Sequence, residues 1–403
     1  MELFWLEHKK LWRKKIVKIC VLLCFVYCVI FGSILSFQWF SFGSSDDYTS
    51  EFGNNFDGYT VIKDSQEYAL SFGGELTDET LQKIVSNYQQ MEADGMEEEL
   101  EKTDWQIVNS WLGTLYPELR DTGNYKTMIS YVDPDKLTGF YERRQQVLDE
   151  FLEVSGQVGA EKEYLHQIDG KVEKPFHYEW VEGWSTLLGS MVADLGVVMA
   201  LFLGIVLSSL FAGEWHDNTS TLVLTTRNGW GKIALAKILT GLAFTVELFA
   251  LLAVSSVISQ LFFMGTAGWN MPIQNIKLIA VAPMNMLQAE IYEYAFVLLG
   301  AIGFAGIVMF ISAAVKNNVL TLLLSLTVVY GPMMIAEYLP YGMQKALDLI
   351  PLVGSSTDIF RTNTFRILGK LIWSPYLLIT IPVLIGILCM PFAIKSWSRR
   401  MKA

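Results

Sequence analysis

Six stretches of the chain are apolar and almost free of charge: residues 16–37, 187–210, 233–264, 295–315, 319–339 and 371–394. A helix rises 1.5 Å per residue, so about 20 apolar residues cross the hydrocarbon core of a bilayer. Each stretch therefore predicts a transmembrane helix. Between the first and the second lies a long polar insert, residues 40–182, whose pattern changes along its length. Gly43, Gly53, Gly58, Gly73 and Gly74, set among short runs such as Tyr59-Thr60-Val61-Ile62, predict loop or a few strands. Helical spacing follows. Leu81, Ile84, Val85 and Tyr88 recur at period 3.6 within 76–102. Thr103-Asp104-Trp105-Gln106 reads as a capping box opening a helix to Leu115, closed by Pro117. Asp133-Pro134 opens another that carries Leu137, Phe140, Tyr141, Val147, Leu148, Phe151 and Leu152. The expected fold class is mainly α: a polytopic membrane protein of six transmembrane helices, with a mostly helical (α or α+β) domain inserted after the first.

Finer features sit on this frame. Residues 1–15 mix Leu3, Phe4, Trp5, Leu11 and Trp12 with basic residues, the pattern of a helix lying in the membrane interface or of a solvated tail. The first apolar run is too long for a signal peptide, and no small-x-small cleavage site follows it, so it is a retained anchor. Trp39, Phe40 and Phe42 then form an aromatic belt. Gly189, Ala193, Gly196, Ala200, Gly204 and Ser208 in the second run, and Gly300, Gly303 and Gly306 in the fourth, are spaced for close helix approach, either inside one bundle or at a dimer seam. Pro332, Pro375 and Pro382 remove backbone donors and predict kinks in the last two spans. Residues 342–368 are too long for a turn and only partly apolar, fitting a re-entrant hairpin or an external loop.

Composition supports the membrane assignment: 52% of the 403 residues are hydrophobic. Charge then orients the chain. The insert carries 30 acidic and 11 basic residues, so the remainder is net basic although the whole chain is at −11. Basic residues gather at Lys9 to Lys18, at Arg227, Lys232 and Lys237, at Lys316, and at Lys395 to Lys402. With six spans all four groups fall on one side, which the positive-inside rule makes cytosolic. The insert is then extracellular, the 395–403 tail and the N-terminus cytosolic, and Lys345, Arg361, Arg366 and Lys370 are exceptions in the last external loop. Cys20, Cys24 and Cys28 share one helix face and Cys389 lies in the last span, so the insert folds without disulfides. No metal site is expected, because nothing converges on these thiols. His166 and His177 stand in no catalytic spacing, and the acidic run Glu97-Glu98-Glu99 is either a solvated face or an attractor for a cationic peptide or drug.

Polar residues within and between the spans carry the candidate chemistry. Asp194 and Glu247 lie at membrane depth, where carboxylates are expensive and face protein or a water-filled path; Glu247, the deeper one, is expected in the interior of the bundle. The loop 211–237 is too charged for hydrocarbon, where each charge costs about 2.5–3.5 kcal/mol, and so forms a cytosolic docking surface. Its order is a Glu leaving the second span (Glu214), a polar cluster (Asn218-Thr219-Ser220), Leu222 and Leu224, Arg227, then Ala236-Lys237 opening the third span. This resembles the cytoplasmic coupling loop of type-2 ABC transporter permeases, with Asn218 where that family often has Gly and Thr226 where it often has Pro.

The resemblance covers 1–42 and 180–403 and implies a membrane subunit that exports a peptide, drug or lipid-like substrate. Glu214, Thr219, Leu222, Leu224, Arg227 and Lys237 would meet a separate ABC ATPase subunit, which would hold ATP and magnesium; a second permease, the same or related, and membrane lipids complete the partners. The chain has no G-x-x-x-x-G-K-[ST] loop, so it is not itself expected to be an enzyme or to bind a cofactor directly, and no nucleic acid is implied. The implied location is a bacterial plasma membrane. The alternatives are a non-transporting sensor or immunity protein whose acidic external domain captures a ligand, and a membrane-embedded enzyme, for which Asp194 and Glu247 lack the local motifs.

Overall fold

The computed structural model describes residues 2–30, 66–67, 69, 73–96, 100, 105–121, 126–188, 192–216, 231–354 and 362–399. Five of its helices are long and apolar enough to cross a membrane: α8 (Val192–His216), α9 (Lys232–Met264), α10 (Met286–Ala314), α11 (Asn318–Ile335, prolonged by a 3₁₀ turn to Tyr338) and α13 (Ser374–Arg399). The chain is a mainly helical, multi-pass membrane protein. Two helices precede the insert, α1 (Glu2–Arg13) and α2 (Lys15–Val29). The last seven residues of the first apolar run, the aromatic belt and Gly43, Gly53 and Gly58 lie outside the described residues.

The long helices begin or end beyond their apolar runs, because the runs locate only the part matched to hydrocarbon. α10 starts nine residues before Ala295, at a capping box in which Asn285 and Gln288 exchange side-chain and backbone bonds. Pro375 makes no kink: it sits in the first turn of α13, where a missing N–H costs nothing. Pro382 and Pro391 are the interior prolines of that helix. α10 is the hub, packed on α8, α9, α11 and α13. Its glycines explain the closest approach. A Cβ built on Gly303 or Gly306 would overlap the backbone of Pro382 or Gly386, so this part of the small-residue stripe serves packing within the chain. Cys20, Cys24 and Cys28 are buried in the same core.

The described part of the insert is helical: α3 (Asp78–Ala93), α4 (Trp105–Leu115), α5 (Phe140–Val154), α6 (Ala160–Asp169) and the short α7 (Glu182–Thr186), with β1 (Gly74–Glu75) paired antiparallel to β2 (His177–Tyr178). Two sequence expectations fail here. The helix expected over 76–102 stops at Ala93, where Gly95 adopts φ 70° and the Met96 N–H returns to the Met91 carbonyl, a left-handed termination. The helix expected from Asp133-Pro134 is only a 3₁₀ turn, Pro134–Lys136. Gly139, at φ 72°, resets the direction, and α5 begins after it with a cap borrowed from α3: Asp78 accepts the N–H groups of Gly139 and Phe140 at 2.7 and 2.9 Å. The Thr103–Asp104 half of the capping box and the Glu97–Glu99 run lie outside the described residues.

This helical unit completes its core with segments from the membrane part. Leu278 joins the cluster of Leu81, Trp111, Phe140 and Phe176. Met271, Ile273, Ala280, Val281, Met286 and Trp373 join Leu148, Leu152 and Leu165. The strongest link is Arg144, fully buried, whose guanidinium binds Asp169 in a fork at 2.6 and 3.1 Å and also donates to the carbonyls of Leu278 (2.7 Å) and Ala280 (3.1 Å). Residues 342–368 are not a plain loop. α12 (Tyr341–Leu347) leads into a turn where Leu352, at φ 62°, packs on Gly300 and Pro351 approaches Gly303, so the chain re-enters the bundle. A hairpin of β3 (Thr364–Ile367) and β4 (Lys370–Trp373) then leads to α13, with Arg366 bonded to Glu161 of α6.

Candidate functional site

The end of the bundle remote from the insert is built around the helix ends that flank residues 217–230. α8 delivers Glu214 in its last turn, and α9 delivers Lys237 in its second. Both are buried, at 3% and 2% exposure, and pair at 2.9 Å. α1 closes over them. Its Glu7 and Lys10, spaced i, i+3, meet the pair residue by residue: Glu7 binds Lys237 at 2.8 Å and Lys10 binds Glu214 at 2.5 Å, while Lys14, in the break between α1 and α2, donates to the Ser209 hydroxyl at 2.9 Å. Lys237 also donates to the Leu210 carbonyl at 3.0 Å, so all three ammonium protons have partners. Charges alternate in sign across the cluster, which makes burial tolerable; stripping one member would leave another desolvated and unpaired. A small cavity of about 30 Å³ lies among these side chains.

Glu214 and Lys237 were expected to present themselves on a docking loop. They are instead internal, and bind the loop's two ends to each other and to α1. Thr219, Leu222, Leu224 and Arg227 lie outside the described residues. Glu7, Lys10 and Lys14 carry no signal in the sequence that separates them from the other polar residues of an interfacial helix or solvated tail, beyond the i, i+3 spacing of Glu7 and Lys10. One turn before Glu214, the Ser312 hydroxyl of α10 accepts the N–H groups of Phe211 and Ala212 (3.1 Å each) and donates to the Ser208 carbonyl (2.7 Å). A side chain inserted into the helical ladder in this way is a site of bending. Beyond it, Trp215 meets Trp397 edge-to-face and lies under Lys316, whose ammonium is 4.4 Å from the ring centre.

Glu247 is not in the bundle interior. Its side chain is 42% exposed on α9 and is held by α1, accepting from Trp12 Nε1 at 3.0 Å and lying 3.2 Å from His8 Nε2. Asp194 lies on α8, but its side chain is outside the described residues. Two further buried carboxylates were not anticipated: Glu290 and Glu293, at 4% and 0% exposure, lie in α10 just ahead of the apolar run. One turn further, the Tyr294 hydroxyl meets Ser256 of α9 at 2.8 Å, and Gln260, one turn along α9, is also buried. Gln260 meets no hydrogen-bond partner among the described residues, while the Glu290 carboxylate lies against the Tyr294 hydroxyl. The spacing Glu290/Tyr294 and Ser256/Gln260 was a readable signal, obscured because Glu290 falls outside the apolar window.

Comparison of the chain with protein-family models, curated proteins and solved structures gives no match.

Proposed function

We propose that the chain is the permease subunit of an ATP-binding cassette exporter, with α2 as the first of six spans, the N-terminus and the 217–230 loop in the cytosol, and the helical insert outside. The observation that carries this is the charged cluster of Glu7, Lys10, Glu214 and Lys237. A force applied to a loop whose two feet are locked together and to α1 moves α8, α9 and α1 as one body. A separate ATPase subunit docked on that loop would therefore tilt three helices at once against α10, with α8 bending at the Ser312 contact. The charge distribution supports the orientation, since the clustered feet are rich in Lys and the insert is acidic. Location in a bacterial plasma membrane, and a second permease subunit, follow from the same proposal.

Affinity purification of the full chain from host membranes tests it. A stoichiometric ATPase subunit should co-purify, and Arg227→Glu should release it while the chain still inserts. An unaccompanied wild-type chain would favour the ligand-capturing sensor instead. Orientation is checked independently in a background lacking the four native cysteines. Ser86→Cys, exposed on α3, should react with an impermeant maleimide in intact cells, and Lys232→Cys only after permeabilisation; the reverse pattern overturns the six-span arrangement.

A further inference from the structure

A cavity of about 560 Å³ lies where the insert meets the start of α10. One wall is the segment between α6 and β2, with Lys171, Glu173, Phe176 and His177; the other is the α9–α10 connection and the first turn of α10, with Met271, Met284 and Gln288. The volume is that of a ligand pocket rather than a packing defect. Its chemistry is mixed in a specific way. Phe176 and Met271 are buried apolar surface, and Met284 adds a second adaptable thioether. The amides of Asn285 and Gln288 have their carbonyl oxygens occupied by the capping box, which fixes both and leaves their NH₂ groups as donors on the cavity wall. Lys171 and Glu173 bring opposite charges to the rim, neither in an ion pair among the described residues.

We propose that this cavity binds a short peptide. Amide donors match peptide carbonyls, the methionines accommodate varied side chains, and the two rim charges suit opposite ends of a zwitterionic chain. A purely apolar ligand would leave the donors unmet, and a simple anion or cation would find an opposing charge two residues away. Because Gln288 belongs to the cap of α10, and α10 carries Ser312 at its other end, an occupant would touch the helix whose Ser312 bonds the backbone of α8.

The test uses the full chain, purified in lipid nanodiscs without any ATPase, in equilibrium dialysis against a random-sequence hexapeptide library read by mass spectrometry. A subset of peptides should be enriched by about ten-fold on the protein side. Gln288→Glu preserves the capping box but replaces the donor with a carboxylate, and should weaken the enriched peptides by about ten-fold at an unchanged melting temperature. Met284→Trp, which fills the cavity, should abolish enrichment. Equal distribution of the library across the membrane, or enrichment that survives both substitutions, overturns the proposal. Since no nucleotide-hydrolysing partner is present, the result does not depend on the permease assignment.

Discussion

Lys237 is where three segments of the chain meet, and its surroundings decide what its loss would do. Lys237→Met removes the cation held between Glu7 and Glu214, leaving Glu214 to Lys10 and Glu7 without that partner; a cost of about 3 kcal/mol is expected. Adding Glu214→Leu should recover much of that loss, because the partner that remains, Lys10, is half exposed and can hydrate. Thermal unfolding of the purified chain measures both. Tyr141 provides a pH-dependent counterpart in the insert. Its hydroxyl donates to the Leu76 carbonyl and accepts the Phe176 N–H, and burial, ahead of any charged neighbour, pushes its pKa up to about 12. Burial does the same to Tyr116. The folded state holds these protons more tightly than the unfolded state, so stability is intact below pH 10 and falls as pH rises from 10 towards 12. Tyr141→Phe should make that decline shallower in a pH series of melting temperatures.

At the scale of helices, contact between α10 and α13 is set by the absence of side chains. Gly306→Val would drive a β-branched group into the Gly386 backbone, and the two helices would have to separate. Gly196→Ala on α8 meets nothing within 4 Å. The first substitution is expected to lower the melting temperature sharply or prevent recovery of the folded chain, and the second to leave it unchanged. Identical melting curves for the two would show that the glycine contact does not hold the bundle. The sequence pattern disclosed these stripes but not which were used, because a run such as Gly300, Gly303, Gly306 specifies close approach without naming the partner. The five long helices were readable from hydropathy. Their ends were not, since Asn285 and Gln288 lie in polar sequence where only cap chemistry marks a boundary. Pro134 misled for a related reason: Pro at a first turn is compatible with a helix, but the cap that starts α5 is Asp78, far away in sequence.

Across the whole molecule, local signals were legible and long-range ones were not. Glu214 and Lys237 could be singled out as charges flanking a loop, yet their pairing depends on α1, more than 200 residues distant from either. Glu247 looked interior because only its depth could be read; which side of α9 it occupied depended on where His8 and Trp12 would lie. Arg144 gave no signal at all among the charges of an acidic insert, although it is the most completely enclosed of the described basic residues in that region. Arg144→Ala would leave Asp169 with Lys174, at 3.7 Å, and strand two carbonyls, with an expected loss of about 3–5 kcal/mol. Arg144→Lys should rescue little, since an ammonium cannot reproduce a fork and two further bonds from one plane. The comparison of the two melting temperatures checks this.

The Arg144 contact also imposes a timetable on biosynthesis. Leu278, whose carbonyl it binds, leaves the ribosome 134 residues later, an interval on the order of ten seconds at ordinary elongation rates. During that time α5 and α6 exist without Met271, Ile273 and Leu278, the side chains that cover their apolar faces. The nascent insert must therefore wait as an incomplete intermediate until α9 has been made and the connection to α10 emerges. A ribosome that stalled within α9 would leave a product with exposed leucines and an unmatched guanidinium, the kind of surface that quality-control proteases and holdase chaperones recognise.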